Sequence, residues 1–136
     1  MADITITATN VKRGPGAVIV HGILAATVTA GQVLYRLADG TFGLADANGA
    51  SALIKTPYGI ALNGGAAGQP VAILTAGRIY IGGTAVQGTV YVLSATPGGI
   101  APAADLASGH TVSPLGVGYD ADELSISINR SGIAVP

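Results

Sequence analysis

The chain has 136 residues, a net charge of −1, 10% charged residues, no cysteine, and 49% hydrophobic residues although aromatics make up only 4%. One domain with its own core is expected at this length. Disulfides and cysteine-bound metals are excluded, and with no basic run longer than Lys12-Arg13 a nucleic-acid partner is not expected.

The apolar mass is Ala, Val, Ile and Leu, and 21 glycines without a three-residue period point to frequent turns. So little charge leaves the surface either Ser/Thr/Gly-covered or partly buried against other chains. No window reaches the roughly 18 apolar residues of a membrane span. Met1–Thr5 carries neither a basic nor a long apolar region, so synthesis in a cytoplasm without secretion is expected.

In chain order, residues 3–8 (Asp-Ile-Thr-Ile-Thr-Ala) alternate and predict an extended strand, followed by a break at Gly14-Pro15-Gly16. Residues 1–16 are therefore expected as an extended N-terminal arm, either added to a neighbour's sheet edge or laid as an edge strand on their own domain. A single β domain is expected over 17–136.

Its strands are predicted at Ala17–His21, Gln32–Leu37, Thr41–Ala45, Tyr58–Leu62, Gln69–Thr75 and Arg78–Ile81. Asp39-Gly40 is a hairpin signal, and Ala76-Gly77 is read as a turn. Asp46–Ile54 is the one short helix foreseen in this half, and Asn63–Gly68 a flexible connection. Further strands are predicted at Gly88–Leu93, within Val112–Tyr119 around Pro114, and at Leu124–Ile128. Thr96–Gly99 reads as a turn and Ala103–Gly109 as a loop or single helical turn. Leu124, Ile126 and Ile128 should face inward, Ser125 and Ser127 outward. Ser131–Pro136 is a tail that pairs or frays.

Two stretches, approximately 30–74 and 87–128, read as diverged copies of one β-unit. Leu34-Tyr35-Arg36-Leu37 matches Val90-Tyr91-Val92-Leu93 at an offset of 56 positions, and Gly43-Leu44-Ala45 matches Gly99-Ile100-Ala101 at the same offset. With one residue inserted, Pro57–Ile60 matches Pro114–Val117. About ten short strands built from two such repeats predict an all-β fold: a compact barrel, sandwich or β-clip-like domain.

Candidate chemistry is thin. His21 and His110 occupy unmatched places in the two copies, and solvent-facing strand histidines are the expectation. Asp120, Asp122 and Glu123 lack the spacing of a calcium loop and read as a solvated turn before Leu124. Asp39, Asp46 and Asp105 fit turns, where the carboxylate takes nearby backbone N–H groups. No phosphate-binding glycine motif or nucleophile elbow occurs, and Asn129-Arg130-Ser131 is an isolated glycosylation match. No enzyme activity, cofactor or metal is expected.

The segments "AGQVLYRLADGTFGLAD", "YGIALNGGAAGQPVAILTAGRIYIGG" and "GTVYVLSATPGGIAPAADLASGHTVSPLGVGYDADELSISINRSG" resemble tailed-phage head decoration proteins, or capsid cement proteins, from about Ala25 onward. The resemblance implies a β-rich virion protein on the outer surface of an expanded head, assembled in the host cytoplasm. It would bridge neighbouring major capsid subunits, as a homotrimer or a dimer, and hold them against internal DNA pressure. It also implies that the N-terminal segment meets the capsid, which makes Asp3, Ile4, Thr5, Ile6, Thr7, Lys12 and Arg13 the expected contacts. A phage tail or fibre-associated β-module is the rival reading, and a ligand-binding cellular barrel a third.

Overall fold

The computed structural model describes residues 4, 6–83, 85–128 and the backbone of 133–134. The fold is all-β, with 41% of the described residues in strands and 5% helical. Its strands are β1 (Lys12–Arg13), β2 (Val18–Ile23), β3 (Val33–Arg36), β4 (Phe42–Leu44), β5 (Gly59–Ala61) and β6 (Pro70–Tyr80). They continue with β7 (Val90–Leu93), β8 (Ile100–Pro102), β9 (Thr111–Val112), β10 (Pro114–Gly118), β11 (Glu123–Ser127) and β12 (Ile133–Ala134). Single 3-10 turns cover Ala8–Asn10 and Ala103–Asp105.

The organising element is β6, whose 11 residues serve four partners. One side pairs with β5 at Ile73 and Leu74 and with β11 from Ala76 to Tyr80. The other side pairs with β2 from Pro70 to Ala76 and with β1 at Ile79 and Tyr80. Pro70 stands first in the strand, where a missing N–H is tolerated. Both faces of β6 are covered: Leu74 and Ile79 are buried on one and Ile73 on the other.

Ala76-Gly77 is therefore not a turn. Gly77 has φ +96° inside the strand and still pairs with Ile126. A side chain there would run into the backbone of Gly16 and Ala17, so only glycine lets β6 pass under that loop unbroken.

The main path of the sheet runs β4-β3-β5-β6-β11-β10-β7-β8, antiparallel and curled into a half-barrel. Read from the β6–β11 junction, each half has the same plan: a strand, its partner, then a hairpin. Pairing registers put Leu34 opposite Gly59 and Tyr91 opposite Gly116, so these matched pairs lie 57 positions apart (34 to 91, 59 to 116). A bulge between Pro114 and Gly116 shifts the second of these registers, which accounts for the difference from the offset of 56 read from the tyrosines. Tyr35 and Tyr91 both pack on the larger core cluster, Tyr91 buried and Tyr35 half-buried.

The core is aliphatic and lies in two adjoining clusters. The larger joins Val33, Ile60, Leu74, Ile79, Tyr91, Leu93, Ile100, Leu115, Leu124 and Ile126 across both halves. The smaller gathers Leu24, Val28, Leu34, Phe42, Ala61, Val71 and Ile73. Each large side chain removed from water supplies roughly 1.5–3 kcal/mol. Around the smaller cluster the sheet closes: Leu24 bridges Phe42, and the Ala25 N–H donates to the Phe42 carbonyl at 2.7 Å.

The stretch 46–54 holds turns rather than a helix. Asp46 accepts the Asn48 N–H at 2.9 Å and Ser51 the Ile54 N–H at 3.3 Å, and such local bonds compete with helix formation. The connection at 63–68 is tied down: Asn63 Nδ2 donates to the Pro70 carbonyl and its Oδ1 accepts the Ala72 N–H. In β11, Leu124 and Ile126 face inward and Ser125 and Ser127 outward, while β12 pairs with β9.

Candidate interaction surfaces

Apolar residues at the N-terminus turn toward their own domain. The Ile4 N–H donates to the Ile100 carbonyl at 2.9 Å, and the Thr7 N–H to the Ile81 carbonyl at 3.0 Å. Ile4, Ile6 and Val11 pack on the larger core cluster. Ile6 lies close over Gly31, and a shallow recess of about 230 Å³ opens beside it toward Pro97 and Gly98. Neither Ile4, Ile6 nor Thr7 lies in a strand, and the chain tightens at Ala8–Asn10 before β1 joins β6. Of the seven expected contacts, Asp3 and Thr5 lie outside the described residues. Ile4 and Ile6 are half-buried, and Thr7, Lys12 and Arg13 are exposed.

Where β1, β6 and β11 meet, charged and aromatic side chains interlock. Glu123 is 5% exposed, and its Oε2 lies 3.6 Å from Arg78 Nη1, at ion-pair rather than hydrogen-bond distance. The Glu123 carboxylate, through hydrogen bonding to the neutral phenol and through its charge, raises the Tyr80 pKa above its ordinary value of 10.0. The Arg78 guanidinium stands 4.2 Å from the centre of the Tyr119 ring, and Lys12 Nζ 5.5 Å from that of Tyr80. These contacts fasten β1 to β6 and β11.

The acidic turn divides in two. Asp120 accepts the Asp122 N–H at 2.8 Å, a turn bond, whereas Glu123 is buried rather than solvated as its neighbours are. Among the described residues no three His, Cys, Asp or Glu side chains group as metal ligands. His21 is exposed on β2, and His110 Nδ1 accepts the Ala107 N–H at 3.2 Å within its turn. Asp39 accepts both the N–H and the hydroxyl of Thr41, and those bonds lower its pKa below 3.8.

Apolar side chains are exposed on another part of the sheet. Val90 on β7 and Val117 on β10 are direct cross-strand partners, 44% and 41% exposed. With Pro114, Gly116, Ser125, Ser127 and Ile128 they line an open groove of about 580 Å³ on the outside of the sheet. Val86, 60% exposed, has its carbonyl against Gly118 at the end of the same strand. Sequence reasoning missed this strip because each valine reads as core until its register is known. The available hint was Val90 standing one position from Tyr91, so that both could not face inward.

A scan against protein-family models gave no match for this chain, and a search of curated proteins gave none either.

Proposed function

We propose that this protein is a structural virion protein that binds the outer surface of an expanded phage capsid and stabilises it against internal DNA pressure by bridging neighbouring major capsid subunits. The observation that carries the reading is the exposed strip of Val86, Val90 and Val117 on a chain with only 10% charged residues. A shallow apolar groove rimmed by serines suits a broad protein partner. Repeated over many copies on an icosahedral surface, modest contacts sum to firm attachment.

In this reading the partners are the major capsid protein and other copies of the chain, as a homotrimer or dimer, with no catalytic step, cofactor, nucleic acid or membrane. The outward residues of the N-terminal segment, Thr7, Lys12 and Arg13, remain available for capsid contact, whereas Ile4 and Ile6 serve the domain itself.

Sedimentation tests this directly. The purified protein is mixed with expanded, DNA-filled heads that lack it and, separately, with unexpanded shells. Saturable co-sedimentation with expanded heads alone is the expected result. Absence of binding to either would overturn the proposal and direct attention to tail structures.

A further inference from the structure

Strand β2 pairs with β6 along one side only. In that register Val20 stands opposite Ile73 and Gly22 opposite Val71, and the Leu24 N–H continues the ladder by donating to the Gln69 carbonyl at 2.9 Å. The alternation of an antiparallel ladder then turns the backbone of Val20 and Gly22 toward β6, and that of Ile19 and His21 away from it. Among the described residues, the outward N–H and C=O groups of Ile19 and His21 have no partner strand.

The other edges of this sheet are protected. β1 consists of Lys12 and Arg13, charges that discourage strand addition. β4 is met by Leu24 and Ala25, and β8 receives the Ile4 N–H at Ile100 and ends on Pro102. β2 reads Val-Ile-Val-His-Gly-Ile and carries no Lys, Arg, Asp, Glu or Pro. Val18 and Ile23 are exposed on it.

We infer that β2 is a self-pairing edge, through which two copies of this chain join by antiparallel strand addition about a two-fold axis at Val20. The axis sets Ile19 opposite the partner's His21 and His21 opposite the partner's Ile19, forming about four backbone hydrogen bonds. Val20 meets the partner's Val20 as a non-hydrogen-bonded pair, the kind that brings side chains closest. The occupant is a second copy because the strand is neutral along its length, so an antiparallel copy brings no like charges together. The contact is isologous and closes as a dimer, the second of the two assemblies that the family resemblance implies. It does not depend on capsid binding.

Sedimentation velocity over a wide range of protein concentration tests the inference on the full chain. His21→Pro removes an outward N–H that β6 does not use, and proline is tolerated at such an edge position. Ile19→Lys adds an edge charge. The wild type should dimerise. Each variant should raise the dissociation constant at least tenfold while keeping the wild-type circular dichroism and a cooperative melt. In amide hydrogen exchange, Ile19 and His21 should be protected in the wild-type dimer and unprotected in the Ile19→Lys monomer. A wild type that stays monomeric throughout would overturn the inference. So would a folded Ile19→Lys protein that keeps the wild-type oligomer, whatever the fate of the proline variant.

Discussion

Gly77 and Gly16 meet backbone to backbone: the carbonyl of Gly16 occupies the space that a side chain at position 77 would need. Gly77 also holds a positive φ within the longest strand of the sheet. Gly77→Ala should therefore cost about 1–3 kcal/mol from backbone strain alone, with the displaced 16–17 loop adding to it. Equilibrium denaturation measures the loss, and a wild-type midpoint would contradict this account of β6.

Tyr91 is the largest fully buried side chain among the described residues, and its hydroxyl accepts the Val86 N–H at 2.8 Å. That bond holds the turn carrying Val86 against β7. Tyr91→Phe keeps the ring and should lose about 0.5–1.5 kcal/mol. Tyr91→Ala also empties the ring's site and should lose about 3–5 kcal/mol. Denaturant midpoints of the two variants should separate in that order.

Glu123 sets the acidity of Tyr80. Replacing it by glutamine removes the charge that opposes tyrosinate, so the Tyr80 pKa should fall back toward 10.0. A spectrophotometric tyrosinate titration, with Tyr80→Phe identifying the component, checks this. Because the folded pKa is raised, the Tyr80 contribution to stability is fully present below pH 10 and is lost as pH rises through the folded value. Alkaline melting curves should show wild type and Tyr80→Phe converging above that value.

At acid pH the sign reverses. Asp39 has a folded pKa below 3.8 because the carboxylate holds Thr41, so its contribution is present above pH 3.8 and is lost as pH falls through the folded value. Asp39→Ala should melt below wild type at neutral pH, and the difference should close in strong acid. A gap that persisted unchanged with pH would show that Asp39 acts through something other than its charge.

If the valine strip is the capsid-facing surface, Val90→Lys and Val117→Lys should each weaken binding to expanded heads at least tenfold. Both positions are exposed, so stability should stay within about 0.5 kcal/mol. A Lys12→Ala/Arg13→Ala double variant separates this surface from the N-terminal one. Whichever variant abolishes co-sedimentation while remaining folded locates the contact.

Local rules carry over directly from residues to structure. The Asp39-Gly40 turn, the Thr96–Gly99 turn and the inward Leu124 and Ile126 were legible because turn chemistry and a period of two act between neighbours. The same rules misread 46–54 and Ala76-Gly77. In the first, side chains captured the backbone; in the second, β11 held a glycine inside a ladder that its own neighbours would have ended. Sequence alone thus determined the all-β class, most turns and the alternation of single strands. Tertiary structure decided that β6 serves four partners, that Ile4 and Ile6 return to their own core, and that Val90 and Val117 face out. The physical reason is register: which strand pairs with which, and on which residue, depends on groups far apart in the chain, and a shift of one position exchanges core for surface.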